Sequence, residues 1–473
     1  VKRTLLAAAL LEYRNKEVVL LDDSPAGSMS VLEMDDTVDE VNRVIQQLRR
    51  QADAIRIDRT VERIDVLTRF LEAMSNEYKA ASGVRDPEYA KNILDPKVAE
   101  LRLWRALLSK ADPNDKAWVA FDQYLANHYS SNVRVFHRKL HPELTQDKSK
   151  AANISAYLSL IGSGDKSGVV SERPENILIL DADQCPYPHM LGKSVAHLER
   201  PANADAAAFQ TPQNYVVEQE NQTGDASSLF MAVHGLSNRG ASHIKAAFWG
   251  GTNAVIRFSA LESIREEIPA EGVTASYTKF ISDESTIEDT ESTIKMARRG
   301  WRVMATDENM VDGDPPMNME GYIKQQYRWA QGDMVVLVHQ LLPTFLARVR
   351  GIISSPAVKS FAGWAFRFSY NVTHFIFSVA QLGISLLHPL AAMAELTGFD
   401  LSIDPKIVIS LCAYNIISTC NLANDIRNTK YRLLDLIKSM PSQYLLAPIY
   451  LHATAAGIQQ LFTGQRVPFL KTP

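Results

Sequence analysis

Two short apolar runs, each broken off by a pair of acids, constrain this chain more than any other feature. Val18-Val19-Leu20-Leu21 ends in Asp22-Asp23, and Ile177-Leu178-Ile179-Leu180 ends in Asp181-Ala182-Asp183. Continuous apolar runs of this length are expected of buried strands in a mainly parallel sheet, with functional groups at their C-terminal edges. A short helix precedes the first run, and strands alternate with helices over residues 131–345. That alternation predicts an α/β domain.

Between the two runs, residues 28–130 change character. Val41, Val44, Ile45 and Leu48, then Ile64, Leu67, Phe70, Leu71 and Met74, recur at helical spacing with charges on the other faces. This predicts a helical insertion of antiparallel helices. It reads as a solvated helical hairpin, with partner docking as the alternative.

Beyond residue 345 the chain turns membrane-like. Residues 368–394 and 407–424 carry no formal charge, and about 20 apolar residues cross a bilayer. Spans are therefore expected at 368–395 and 406–425. Arg348, Arg350, Lys359 and Arg367 precede the first, and Arg427, Lys430, Arg432 and Lys438 follow the second. Positive residues on one side place the α/β domain in the cytoplasm, beneath a multi-pass cell (inner) membrane region over 346–473. A third uncharged stretch, 439–465, is interrupted by Pro441 and Pro448. The chain opens at Val1 without an initiating methionine, which reads as a fragment of a longer protein.

Composition excludes several classes. A net charge of −4 gives no general reason to expect nucleic-acid binding. Cys185, Cys412 and Cys420 have neither metal-ligand nor disulfide-framework spacing.

The chemistry concentrates in three places. Asp181 and Asp183, after a strand, can share a divalent cation with a nucleotide diphosphate. A second Asp-x-Asp, Asp312-Gly313-Asp314, is followed by two prolines and preceded by no apolar strand, so it is set aside. Ile287-Glu288-Asp289 opens a helix. Acids there suit the helix dipole, and one carboxylate can also serve as a general base. In Gln325-Gln326-Tyr327-Arg328-Trp329, Trp offers a face for a sugar ring, and Gln and Arg offer hydrogen bonds.

In this order, before apolar segments, the elements resemble glycosyltransferase family 2, and within it the processive branch of cellulose, hyaluronan and β-glucan synthases. Lys150-Ala151-Ala152-Asn153, Phe209-Gln210-Thr211-Pro212-Gln213, Gly250-Gly251-Thr252-Asn253-Ala254 with Arg257, and the terminal Phe469-Leu470-Lys471-Thr472-Pro473 extend the likeness over residues 1–25 and 131–473. The resemblance implies a GT-A-type nucleotide-sugar transferase domain, starting at 1–27 and resuming at 131–345. An interfacial helix near 439–465 and the start of a gating loop at 469–473 would follow. It implies that Asp23, Lys150 and Asp181 bind the nucleotide sugar and that Asp181 and Asp183 hold Mg2+ or Mn2+. Asp289 would be the base, and Gln325, Arg328 and Trp329 would bind the acceptor glycan. The implied reaction is inverting transfer from a donor such as UDP-glucose to a growing β-linked polysaccharide, exported through the lipid bilayer. Transfer of one sugar to a lipid carrier, or a non-catalytic role in a synthase complex, are the alternatives. Three departures stand out: Ile287 replaces a usual Thr, Gln326 replaces an Arg common in cellulose synthases, and the first strand is missing before Val1.

Overall fold

A computed structural model describes residues 1–25, 27–81, 85–141, 144–145, 147, 149–163, 173–217, 222–269, 277–316, 318–354, 361–369 and 405–464. The chain forms two units: Val1–Ala204, Thr252–Phe280 and Asn309–Gly313 make the first, and Asp205–Gly251, Ile281–Glu308 and Asp314–Pro473 the second.

In the first unit, the apolar run Val18–Asp22 forms a strand parallel to Val133–His137, with Val18 opposite Val133 and Asp22 opposite His137. Parallel neighbours need a long crossover. Here the crossover is the whole helical segment: Met29–Asp58, Val61–Ala80, Arg85–Tyr89, a π-helical turn Ala90–Leu94, Asp95–Leu108 and Lys116–His128. Arg59, in the left-handed conformation, ends the first of these and reaches Pro113 O and Asp122 Oδ2, both at 2.8 Å. The helices expected of the segment are present, and their apolar stripes are buried. Val41, Ile45, Leu48, Ile64, Leu67 and Phe121 share one core with Leu5 and Leu6 of the helix Lys2–Ala9, with Leu10 just after it, and with Val133. The apolar stripes of those helices required a partner, and the parent domain supplies it.

The sheet also departs from the parallel expectation. Asn176–Ile179 pairs antiparallel with Ala254–Arg257. Asn253, buried at a left-handed φ of 57°, turns the chain into that ladder and donates its backbone N–H to Ile179 O at 2.8 Å. Two further antiparallel pairs, Cys185–Pro186 with Val311–Gly313 and Glu266–Ile268 with Tyr277–Lys279, lie in the same unit.

In the second unit the buried strand Ala206–Gln210 runs parallel to Arg302–Ala305. Helices Gln222–His243, Glu288–Arg298 and Met319–Val336 surround the site described below. Met319–Val336 packs along the helix Leu433–Thr463 through Tyr322 and Ala330 against Leu446, Tyr450 and Ala453. Gly457 permits this crossing, since a Cβ there would lie 2.9 Å from Gln331 O.

The interfacial helix expected at 439–465 thus falls mostly within one helix that runs past Pro441 and Pro448 and buries a face in protein. Its other side exposes Leu451, Ile458 and Phe462. The expected span at 406–425 falls on the 21-residue helix Pro405–Asp425. Its apolar run is broken by Ser410, Asn415, Asn421 and Asn424, and Ile409, Ile416 and Ile417 are exposed. Among the described residues no helix is long and apolar enough to cross a membrane. The span expected at 368–395 lies, from residue 370 on, outside the described residues, as does the gating loop at 469–473.

Candidate active site

In the first unit Asp23 and Asp181 follow strands, whereas Lys150 opens a helix. After Asn176–Ile179 the chain turns sharply: Gln184 N–H donates to Asp181 O at 3.0 Å, and Thr4 Oγ1 donates to Ala182 O at 2.7 Å. Asp181 N–H is fixed on Thr252 Oγ1 at 2.9 Å. Gln184 donates to Asp183 Oδ1 at 3.2 Å and accepts from Asn253 Nδ2 at 3.0 Å. Gly313 keeps that network open, because a Cβ there would fall 2.2 Å from Gln184 Nε2. Lys150, at the start of the helix Lys150–Ser163, forms an ion pair with Asp181. Asp183 stands exposed on the same turn.

These two carboxylates fit a hard divalent cation, which takes oxygen ligands and completes its shell with substrate phosphates and water. Asp23 is held by the buried Arg138, whose Nε donates to Oδ1 at 3.0 Å and whose Nη1 donates to Thr145 O at 2.7 Å. Beside it, His137 bridges two acids, Nδ1 to Asp22 Oδ2 at 2.8 Å and Nε2 to Asp35 Oδ1 at 2.9 Å. Burial pulls the imidazole pKa down, but the two carboxylates outweigh it and hold the value above the ordinary one. Neither Arg138 nor His137 belongs to a motif visible in the sequence.

The Asp312 carboxylate is a structural acceptor. It is 9% exposed and takes hydrogen bonds from Asn92 Nδ2 at 2.7 Å and Tyr187 Oη at 2.9 Å. The short strand Val311–Gly313 carries it at its centre. Among the described residues, Glu12, Glu100 and His128 form a group with ligand-type atoms within 4.8 Å of one another. The fully buried Lys97 lies in the field of both glutamates, with its own pKa pushed down to about 8 by burial. That cation offsets the two carboxylates, and the group serves as a charge network inside the helical segment.

The second unit encloses a cavity of about 150 Å³. Asp289, in the first turn of Glu288–Arg298, lines it together with Trp329 from Met319–Val336. No side chain caps that helix at Ile287. Asp289 Oδ1 accepts from Thr290 N–H at 2.7 Å. Oδ2 occupies the space where Gly251, at φ +78°, lacks a Cβ: one built there would be 2.7 Å away. On the other side Gly332 lets Met319–Val336 close onto Thr286 and Ile287, whose atoms would lie 2.7–2.9 Å from its Cβ.

Residues from two further sequence motifs, Gln210–Gln213 and Gly250, line the same cavity, joined by the Gly250 N–H to Gln210 Oε1 bond at 2.9 Å. Trp329 stacks beside Phe230, with centroids 5.9 Å apart, and Phe230 and His234 continue the aromatic wall. Of the expected acceptor residues, Trp329 lines the cavity; Gln325 and Arg328 are not among its lining side chains. Gln326 and Asp333 line it instead, three residues before and four after the Trp.

A family model described as "Glycosyl transferase family group 2" matches residues 176–417. Putative cellulose synthases 2 and 3 of Komagataeibacter xylinus are each 25% identical over 221 residues. Those matches cover 45% of this chain and only 12% of either relative. A mannosyltransferase structure from Pyrobaculum calidifontis, in complex with GDP-Man and Mn2+, superposes with a TM-score of 0.33. Identity there is 15%, over 75% of this chain and 76% of that one.

Proposed function

We propose that this chain, which belongs to glycosyl transferase family group 2, transfers a sugar from a nucleotide donor to a glycan acceptor bound beside Trp329. One observation carries the reading: a carboxylate and an indole from different helices open onto a single cavity walled by aromatic rings. Such walls suit sugar rings, which stack their apolar faces on aromatics and hydrogen-bond at their edges.

In this reading an acceptor hydroxyl gives its proton to Asp289 while its oxygen attacks the anomeric carbon. The nucleoside diphosphate leaves from the opposite face, so the new linkage is inverted. Gly251 and Gly332 keep the Asp289 carboxylate in place for that transfer. The resemblance assigns donor binding to Asp23, Lys150 and Asp181 of the first unit, with Asp181 and Asp183 as the residues that would hold a divalent cation. A bound Mg2+ or Mn2+ would offset the charge that develops on the leaving group.

The fold is read as GT-A-type, the donor as UDP-glucose and the product as a growing β-glucan. The Gln-x-x-Arg-Trp run and the partial likeness to putative cellulose synthases support that choice. A membrane seat for the C-terminal helices is supported by exposed Ile409, Ile416, Ile417, Leu434, Ile437 and Phe462.

The test is nucleotide release from a panel of sugar donors, with a divalent cation, by the full-length protein in membranes. Asp289→Asn should lose about 10²- to 10⁴-fold in transfer, as expected for loss of a general base, while still binding donor. Transfer by that variant at the unmodified rate refutes the assignment. Product length distinguishes a polymer from a single addition.

A further inference from the structure

The residues Gln326, Trp329 and Asp333 stand at i, i+3 and i+7 of Met319–Val336, and all three line the cavity that holds Asp289. Positions so spaced share one helix face. Trp329 is the platform of the reading above, on which this inference rests. Its two neighbours on that face are polar and poorly satisfied. Gln326 is 2% exposed; its Oε1 accepts from Tyr450 Oη at 2.7 Å, while its Nε2 has no hydrogen-bond partner.

Asp333 is half-buried and opens on the cavity. Among the described residues no hydrogen bond or ion pair reaches its carboxyl, and burial pushes its pKa up to about 7. Burying the Gln326 amide donor without a partner costs folding free energy, and Asp333 adds an unpaired carboxyl at the cavity wall. A ligand that supplies the missing partners recovers that cost. At neutral pH a carboxyl so placed keeps a substantial protonated fraction, which offers one O–H donor and one carbonyl acceptor. Gln326 adds a second donor on the same face, with the indole between them.

We propose that Asp333 and Gln326 clamp two hydroxyls of the terminal acceptor sugar across the Trp329 face and so determine which hydroxyl meets Asp289. They are positioning residues, and Asp289 remains the base. The other titratable or charged groups lining the cavity are Asp289 from Glu288–Arg298, His234 from Gln222–His243 and Arg367 from the helix 361–369, and Tyr450 from Leu433–Thr463 lies in the field of Asp333.

The experiment uses the full-length protein in membranes with the donor that the panel identifies and a soluble oligosaccharide acceptor. Acceptor KM and kcat are measured across pH for the unmodified protein, Asp333→Asn and Asp333→Leu, with melting curves alongside. Loss of a buried hydrogen-bond pair should raise the acceptor KM of Asp333→Leu about tenfold to a hundredfold, with a smaller fall in kcat. In the unmodified protein acceptor KM should climb as pH passes about 7, since Asp333 then loses its donor. Asp333→Asn, which donates at every pH, should recover part of the loss and remove that climb.

A folded Asp333→Leu with acceptor KM within twofold of the unmodified protein overturns the clamp. If Asp333→Leu does not fold, Asp333→Asn decides: an acceptor KM that still climbs through pH 7 overturns it. An unmodified protein that releases nucleotide from no donor overturns the transferase reading itself, and the clamp with it.

Discussion

Replacing Gly251 with Ala tests how closely Asp289 is confined. The added methyl would lie 2.7 Å from Asp289 Oδ2, whereas ordinary contact begins at 3.4 Å, so one of the two must yield by about 0.7 Å. The residue also sits at φ +78°, where an L side chain costs about 1–2 kcal/mol. Two effects are therefore expected: a stability loss of about that size, and a displaced base. A catalytic group misplaced by about 1 Å loses on the order of 10²-fold in rate. Gly300→Ala separates the two, because Gly300 has φ +96° but nothing within 4 Å of its Cβ position. Both variants should melt lower in a thermal scan, and only Gly251→Ala should lose transfer, as released nucleotide, by about two orders of magnitude. Equal rates for the two variants would refute the argument that Gly251 positions Asp289.

Two further outcomes follow from the first unit. His137 has its folded pKa raised by Asp22 and Asp35 above the unfolded value of about 6.5, so the stability it adds is complete below about pH 6.5 and is lost as pH rises through the raised value. Between about pH 6 and pH 9 the melting temperature should fall more steeply for the unmodified protein than for His137→Gln; parallel slopes would sink this. Asp312→Ala strands the Tyr187 hydroxyl and the Asn92 amide, and should cost about 1–3 kcal/mol in urea unfolding, with Asp312→Asn milder. An Asp312→Ala protein as stable as the original would show the clasp to be idle.

The sequence made the local chemistry readable where neighbours in the chain are neighbours in space. Asp181 and Asp183 follow a strand as expected, and Asp289 lies in a helix first turn because acids favour that position. Trp329 was visible in its motif. Asp333 was not, although it lies one turn beyond, because an acid on a helix announces burial only once the opposing wall is known. His137 with Asp35, Arg138 with Asp23, and Asn92 with Asp312 are separated by 102, 115 and 220 residues, and no local pattern encodes such pairs. The stripes of the helical segment revealed that each helix buries a face. They did not reveal that Leu5, Leu6 and Val133 lie on the other side of it.

Because those helices are a crossover between adjacent parallel strands, they cannot be trimmed away like an ornament. The exit at Asp22 and the re-entry at Val133 lie at opposite ends of a five-residue ladder. A shortened chain would need a bridge of about 16 Å along the strands, at roughly 3.3 Å per residue, where a tight turn cannot reach. Any shortened descendant must keep at least one spacer spanning that gap and must refill the core vacated beside Leu5 and Leu10. A deletion that kills activity would therefore report a broken sheet before it reported a lost docking site.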